Sequence, residues 1–389
     1  MIELAPARRA RMEVRLQAAA SGENAARVVE MHHSAHVRQM WWRFDTAGRP
    51  LPAPHTANFA AVAALPWAMA HAADLHVRGL LDRTFLENLE ELVDVWVRWR
   101  PDLFHRIRID ADDLAEGRPS GSNDAVLMFS GGVDATFALA AHVEGLLGHR
   151  SRPVSAGLLV RGFDVPLHDD AWWSIARDHG QRLLGAFGVP LWTCATNWRE
   201  FSVDWEMGFG MGIAAVLHQC EASIGLGLWA ADESYDHEII PWGSNSIVAP
   251  LLGSPSLPVR AVGGGYERDE KIGYLAHHEA VRRHLRVCWR QPANGLNCGR
   301  CEKCVRTLVS LWGAGYERCE AFEVPLTAST AARIRIGNQV QHDLLASALS
   351  HHASRLPRSV VIALRYRLAR FRLLKTGWIG RLRRRQPGS

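Results

Sequence analysis

Residues 124–136 have the sequence DAVLMFSGGVDAT, in which an apolar run leads through two glycines into an alanine-rich stretch. Residues 125–129 predict a buried β-strand, and residues 135–147 predict the helix that follows it. Gly131 and Gly132 allow the backbone to turn tightly, and the first amides of a helix offer unpaired N–H groups to an anion. The stretch therefore predicts a cradle for a phosphate or pyrophosphate; the alternative is an ordinary strand-to-helix turn.

Side chains of the same loop complete this predicted anion site. Ser130 and Thr136 offer hydroxyl donors, and Asp134 is placed either to cap the helix or to help hold Mg²⁺ beside the phosphates. Ser130 and Asp134 are accordingly candidate catalytic residues. The candidate nucleotide-binding residues of the loop are Ser130, Gly131, Gly132, Val133, Asp134, Ala135 and Thr136.

Strands and helices alternate along the chain after residue 124. Units of this length, each an apolar run followed by a helical pattern, are typical of parallel sheets covered by helices on both faces. The predicted fold class is therefore α/β, with a doubly wound parallel sheet of the Rossmann-like kind. Strands are predicted at residues 154–160, 191–195 and 223–228, and helices at residues 171–187 and 206–218.

Composition and pattern divide the chain into three predicted parts. Residues 1–120 form an N-terminal α+β domain that ends in a linker rich in Gly, Pro and Ser at residues 116–123. Residues 121–320 form the nucleotide-binding domain, and residues 321–389 form a helical, basic C-terminal extension. Within the first part, a strand is predicted at residues 40–44 and helices at residues 57–73 and 86–99.

Four of the seven cysteines are clustered in the second half of the chain, at Cys288, Cys298, Cys301 and Cys304. Four thiolates at this spacing can close on one tetrahedral ion, with Zn–S distances of about 2.3 Å, and a filled tetrahedron leaves no position for a catalytic water. The cluster therefore predicts a structural zinc knuckle. A run of three cysteines at this spacing also occurs in iron–sulfur ligation, which is the alternative.

The loop and the cysteine cluster together resemble the PP-loop superfamily of ATP pyrophosphatases. The superfamily signature is SGGxDS followed by Ser or Thr, and this chain has Ala135 where the signature has its first Ser after Asp. Within the superfamily, the late CGxCxxC motif with a further upstream Cys is similar to that of 7-cyano-7-deazaguanine synthases. The resemblance covers residues 124–312, while the loop between the two motifs, the N-terminal region and the basic tail depart from it.

The resemblance implies an ATP-binding domain of the HUP fold. In such domains the loop holds the β and γ phosphates, and AMP is transferred to a substrate oxygen with release of pyrophosphate. PP-loop enzymes of this type also carry a lysine near the start of a later helix, where a cation reaches the charge that develops on pyrophosphate; Lys271 is the candidate catalytic residue for this role. The implied ligands are ATP, Mg²⁺ and a structural Zn²⁺.

Further candidate residues follow the predicted strands. Ligands of open parallel sheets bind beyond the carboxyl ends of the strands, so Arg161 and Asn197 are candidate nucleotide contacts. Residues 232–235 and 241–245 combine acidic, aromatic and polar side chains, and they predict the site of the small-molecule substrate. The alternative for each is a loop with no ligand.

Charge is unevenly distributed along the chain. The formal net charge is +5, yet 11 Lys and Arg residues and no acidic residue follow Asp343. This basic tail interleaves arginines with apolar residues, which predicts contact with an anionic membrane surface or with nucleic acid, or else a solvated terminus.

The sequence contains neither a secretory apolar segment nor a membrane-spanning run, and its cysteines are clustered. We therefore expect a cytoplasmic protein. Association into a homo-oligomer is a further expectation.

The leading functional hypothesis is an ATP-dependent, AMP-forming enzyme of the C–N ligase type. Such an enzyme adenylates a carboxylate or carbonyl oxygen of a small molecule, and ammonia or another nucleophile then displaces AMP. The alternatives are a PP-loop enzyme that modifies tRNA and a nucleotide-binding module without turnover.

Overall fold

The computed structural model describes residues 10–17, 26–288, 290, 292 and 296–383. Its strands are β1 (Arg11–Leu16), β2 (Arg27–His33), β3 (His36–Asp45), β4 (Asp74–Asp82), β5 (Ile109–Ala115), β6 (Ala125–Met128), β7 (Val154–Arg161), β8 (Leu191–Thr196), β9 (Leu226–Ala230) and β10 (Val259–Val262). Its α-helices are α1 (Asn58–Ala70), α2 (Arg83–Trp99), α3 (Val133–Val143), α4 (Asp170–Ala186), α5 (Trp205–Leu217), α6 (Val248–Leu251), α7 (Arg268–Leu275), α8 (Glu279–His284), α9 (Glu302–Gly313), α10 (Ala328–Arg333), α11 (Gln339–His352) and α12 (Arg358–Arg383).

The chain forms two compact units, each built from two segments. The first unit comprises Met1–Ser130 and Ala138–Tyr266 and contains every strand listed above. The second comprises Gly131–Phe137 and Glu267–Ser389, and it contains most of the glycine loop, the cysteine cluster and helices α7 to α12. The first turn of α3 therefore lies in the same compact unit as residues more than a hundred positions further along the chain.

The ten strands that the structure describes form one sheet, in the order β10-β9-β6-β7-β8-β3-β2-β1-β4-β5. Neighbouring strands from β10 to β8 are parallel, as are β1, β4 and β5, while β3 pairs antiparallel with β8 and with β2. The mostly parallel sheet confirms the predicted α/β class. Phe44 of β3 lies opposite Cys194 of β8, so the boundary predicted at residue 120 does not separate two sheets.

Helices cover both faces of the parallel part of the sheet. Successive residues of a strand point to opposite faces. Ala156 and Leu158 of β7 belong to the same large core as α5, whereas Leu159 packs with Trp172 and Ala176 of α4. The chain therefore crosses over the sheet on one face between β7 and β8 and on the other between β8 and β9.

Aspartates begin several of these helices because a carboxylate accepts hydrogen bonds from the first free amides. Asp82 accepts from Phe85 N at the start of α2, and Asp204 accepts from Met207 N at the start of α5. In α2 the apolar residues then recur at helical spacing and are buried on one face. The helices predicted at residues 57–73, 86–99, 171–187 and 206–218 are confirmed as α1, α2, α4 and α5.

The order in which the parallel strands are added to the sheet reverses at β6. The chain runs outward from β6 through β7 to β8 on one side, and β9 and β10 lie on the other. In open parallel sheets such a reversal creates a crevice beyond the carboxyl end of the central strand. Ser130, the first residue of the SGG sequence, follows β6 at this point.

The C-terminal part of the described chain is helical. Helices α10 and α11 both pack against α12, the last element described. In the ranges that the structure describes, no helix combines the length and the apolar character needed to cross a bilayer.

Candidate functional site

The glycine loop turns sharply before α3 begins. Gly131 has a φ of 73°, in the left-handed region that favours glycine, and its carbonyl accepts a hydrogen bond from Arg286 N at 2.8 Å. Thr136 N then donates to Gly132 O at 2.9 Å, which closes the first turn of the helix. The loop is thus tied to the segment that leads into the cysteine cluster.

Asp134 lies in the first turn of α3 and contacts two cations of α7. Its Oδ2 accepts a hydrogen bond from Arg268 Nη1 at 2.7 Å, and its Oδ1 accepts one from Lys271 Nζ at 3.1 Å. Lys271 is only 1% exposed. A buried ammonium requires a partner, because desolvation without one would be costly. The structure therefore brings two of the predicted catalytic residues, Asp134 and Lys271, into direct contact.

The charges around Asp134 lower its pKa. Burial alone would raise this pKa, but the charges of Arg268 and Lys271, the Lys271 hydrogen bond and the charge of Lys303 outweigh burial. Asp134 is therefore an ionised carboxylate. Three cations converge on this single negative charge, so the surroundings of the carboxylate are suited to further anions.

Helix α7 is held in place by groups on its other side. Arg268 and Lys271 are three residues apart, so they share one face of the helix. Asp269 points elsewhere: its carboxylate accepts a hydrogen bond from Ser310 Oγ of α9, and His351 Nδ1 of α11 lies 3.1 Å from its Oδ2. These contacts anchor α7 to two further helices and orient its cationic face.

Most other side chains of the loop are buried. Ser130 is exposed, whereas Val133, Ala135 and Thr136 have 5% or less of their surface exposed. Val133 and Ala135 can therefore offer a ligand their backbone amides rather than their side chains. Thr136 Oγ1 is buried and has no hydrogen-bond partner among the described residues.

Arg161 and Asn197 are held within the first unit. Asn197 accepts a hydrogen bond from Trp41 N at 2.9 Å and donates to Gln39 O at 3.1 Å, which joins the end of β8 to β3. Arg161 donates to Leu167 O and pairs with Asp170. These contacts fix the positions of both side chains within the first unit.

The four clustered cysteines are buried and close together. Cys288 Sγ lies 3.5 Å from Cys298 Sγ and 3.9 Å from Cys301 Sγ, and Cys298 Sγ lies 3.9 Å from Cys304 Sγ. Four sulfurs about 2.3 Å from one tetrahedral ion would be about 3.8 Å apart. All four sulfurs lie within 4.8 Å of one another, so the cluster can hold a metal such as zinc.

Backbone amides around the cluster point at its sulfurs. Cys298 Sγ accepts from Cys301 N at 3.3 Å, and Cys301 Sγ accepts from Cys304 N at 3.5 Å at the start of α9. Such bonds favour the thiolate form that metal binding requires. Gly299 has a φ of 63°, and a Cβ atom there would lie 2.3 Å from Val324 O, so this position requires glycine.

Asn297 organises the backbone beside the cluster and was not predicted from the sequence. The side chain is fully buried. Its Oδ1 accepts from Val287 N at 2.7 Å and Cys288 N at 3.0 Å, while its Nδ2 donates to Leu285 O at 2.7 Å and Ala321 O at 2.8 Å. One side chain thus satisfies four backbone groups and fixes the position of the first cysteine. Its place directly before Cys298 is the one sequence signal for this role.

The remaining three cysteines are core residues. Cys194, Cys220 and Cys319 are buried, and burial raises the pKa of each thiol, to about 12 for Cys220 and about 11 for Cys319. A nucleophilic cysteine needs a lowered pKa. These three thiols are therefore unsuited to nucleophilic catalysis.

A cleft that opens to solvent follows β9 and β10 within the first unit. Asp232 accepts hydrogen bonds from Trp242 Nε1 at 3.2 Å and Ser244 Oγ at 2.7 Å, and both donors also line the cleft. Trp229 Nε1 is buried, with no hydrogen-bond partner in the described part of the chain. The predicted substrate loop, residues 232–235 and 241–245, thus contributes most of the lining of one cleft: Asp232, Glu233, Tyr235, Trp242, Ser244 and Asn245.

The chain matches no protein-family model, no curated protein and no solved structure.

Proposed function

We propose that this chain is an ATP-dependent, AMP-forming enzyme of the PP-loop kind. The observation that carries the proposal is the cluster of Asp134, Arg268 and Lys271 at the start of α3, just after the glycine turn that follows β6. The strand order of β6 to β10 supports it, because doubly wound sheets bind nucleotides where the order of strands reverses.

The loop and α7 together supply the two features that a triphosphate requires. The first amides of α3 carry the positive end of the helix dipole, and Arg268 and Lys271 add full charges beside them. We infer that the β and γ phosphates replace Asp134 as the partner of these cations. ATP binding would then exchange the ion pairs with Asp134 for ion pairs with phosphate. A phosphate oxygen would also satisfy the buried hydroxyl of Thr136.

The proposed reaction has two steps. A carboxylate oxygen of the acceptor attacks the α-phosphorus, the bond from that phosphorus to the bridging oxygen breaks, and pyrophosphate leaves with that oxygen. Ammonia or another nucleophile then attacks the acyl carbon, the bond from that carbon to the AMP oxygen breaks, and AMP leaves while the nucleophile releases a proton to solvent. Negative charge grows on pyrophosphate in the first step, where Lys271 and Arg268 would stabilise it. Magnesium would share the phosphates with these cations, and Asp134, once released, is a ligand that it could use.

The cleft after β9 is the proposed acceptor site. Strands β6 and β9 are adjacent and parallel, so the residues that follow them leave the same edge of the sheet. Tyr235 and Trp242 offer aromatic surface, while Asp232 and Glu233 place carboxylates in its lining. We infer an acceptor that stacks on these rings and carries donor groups able to compete with Trp242 and Ser244 for Asp232.

The cysteine cluster is proposed to hold one structural zinc ion. The spacing of its sulfurs matches a single tetrahedral ion, whereas a multi-iron cluster would hold the thiolates further apart. Within the described residues no cysteine is left for sulfur transfer, because the other three thiols are buried with raised pKa values. This favours ligation over tRNA thiolation.

The products of ATP turnover test the proposal. The full chain would be incubated with ATP, Mg²⁺, ammonium and a panel of carboxylates, and nucleotides separated by anion-exchange chromatography. We expect AMP and pyrophosphate that depend on one class of carboxylate. Lys271→Met should lower the rate by about a hundredfold or more, and the exposed Lys375→Met control should leave it unchanged. Formation of ADP and phosphate, or no ATP binding at all, would overturn the proposal.

A further inference from the structure

Helix α12 presents large apolar side chains to solvent. Ile362, Tyr366 and Leu373 are 67%, 57% and 72% exposed. Together with Ala369 they recur at intervals of four, three and four residues, which places them on one face of the helix. Exposed apolar residues scattered singly are ordinary, but a stripe along one helix face indicates a binding surface.

The opposite face of α12 is anchored to the protein. Val360, Leu364 and Leu368 are buried, and the helix packs against α10 and α11. Arg372 Nε also donates to His342 Nε2 of α11 at 3.2 Å. Because the opposite face of α12 packs against the protein, the apolar stripe faces solvent.

Arginines border the apolar stripe on both sides. Arg358 and Arg365 are exposed and lie seven residues apart, so they share one side of the stripe, and the exposed Arg370 lies on the other. No acidic residue occurs between residues 358 and 383. The face thus combines an apolar centre with cationic edges.

We propose that this face binds the surface of an anionic lipid bilayer. Apolar side chains enter the boundary between headgroups and acyl chains, while arginines extend toward anionic headgroups. A second copy of the chain fits less well, because pairing the two faces would bring their arginines together. Nucleic acid would use the arginines but leave Ile362 and Leu373 without apolar contact.

Flotation of the full chain with vesicles tests the proposal. The vesicles would contain phosphatidylcholine alone or equal parts of phosphatidylcholine and phosphatidylglycerol. We expect binding to the mixed vesicles only, weakened by salt. Arg365→Gln and Arg370→Gln should each reduce the partition coefficient about fivefold. The double variant Ile362→Ser/Leu373→Ser should reduce it about tenfold or more.

Val340→Ser changes an exposed apolar residue of α11 and should leave vesicle binding unchanged. Lys271→Met should also bind vesicles normally, because α12 acts independently of ATP. Far-ultraviolet circular dichroism would verify that each variant is folded. The proposal is overturned if the serine double variant binds vesicles as well as the wild type. It is equally overturned if vesicles are not bound and the same substitutions instead abolish self-association or binding to a single-stranded RNA.

Discussion

Lys271 Nζ donates a hydrogen bond to Asp134 Oδ1 across 137 residues of sequence. This contact joins the first turn of α3 to α7 within the second compact unit. Since Lys271 is almost fully buried, the Asp134 carboxylate offsets part of the cost of burying its charge. The pair therefore serves both the stability of the unit and, in the proposed reaction, the binding of ATP.

Substitutions of this pair should be strongly coupled. Asp134→Asn removes the carboxylate that contacts the buried Lys271 Nζ, so we expect the free energy of unfolding to fall by about 3 kcal/mol. Lys271→Met should cost about 1 kcal/mol, because Arg268 still neutralises Asp134. The double variant should be closer to the wild type than Asp134→Asn, and urea unfolding of the four proteins measures the coupling. Additive effects of the two substitutions would show that the pair contributes no interaction energy.

The cysteine cluster should bind one zinc ion per chain. Elemental analysis of protein purified without oxygen should find zinc rather than iron, and Cys298→Ser should lose most of it because three ligands hold the ion weakly. Removal of the metal by a chelator should lower the melting temperature. Cys319→Ser is the matched control, since Cys319 lies outside the cluster and should keep the ion. Stoichiometric iron with inorganic sulfide would contradict this assignment.

Asn297 should contribute more to stability than an ordinary asparagine. Asn297→Ala removes four buried hydrogen bonds to the backbone and should lower the free energy of unfolding by about 4 kcal/mol. Asn88→Ala, which removes one bond to Gly253 O, should cost about 1 kcal/mol. Chemical unfolding of the two variants compares these costs. Equal, small losses would mean that water replaces the Asn297 side chain without penalty.

His142 should make the protein less stable as the pH falls. Burial, and then the charges of Arg152 and Arg150, lower the pKa of His142 from 6.5 to about 4. Its Nδ1 accepts a hydrogen bond from Arg152 N at 3.0 Å, which requires the neutral ring. The unfolded chain therefore binds a proton before the folded chain does, and stability is lost between pH 6.5 and 4, by about 3 kcal/mol at most.

The variant His142→Gln separates this effect from other titrations. Glutamine keeps a hydrogen-bond acceptor but does not ionise, so its free energy of unfolding should change less than that of the wild type over the same pH range. Urea titrations at the two ends of the range provide the comparison. Identical pH dependence in the two proteins would rule out a contribution from His142.

Local patterns in the sequence predicted those strands, turns and helices whose formation depends on residues adjacent in the chain. The strand, glycine turn and helix around SGGVDAT follow from adjacent residues, and β3, β7 and β8 contain the strands predicted at residues 40–44, 154–160 and 191–195. The cysteine cluster was predicted for the same reason, because its ligand spacing is encoded in a short segment. The predicted strand at residues 223–228 starts too early, since β9 begins at Leu226.

Long-range pairing could not be predicted in the same way. The joining of β3 to β8 depends on two strands about 150 residues apart, and nothing in either strand specifies the other. Asn297 resembles any loop asparagine until Leu285 and Ala321 place their carbonyls around it. Likewise, nothing in the sequence around Lys303, between two cysteines of the cluster, indicates that its charge acts on Asp134 of the glycine loop.

A crystal structure with Mg²⁺ and the non-cleavable analogue α,β-methylene-ATP is the most direct test of the proposed function. We predict that the β and γ phosphates lie within hydrogen-bond distance of the backbone amides of residues 131–136 and of Lys271 Nζ, with the contact between Lys271 and Asp134 lengthened or broken. A nucleotide bound elsewhere, or a loop left empty at saturating analogue while Lys271 stays on Asp134, would contradict the account.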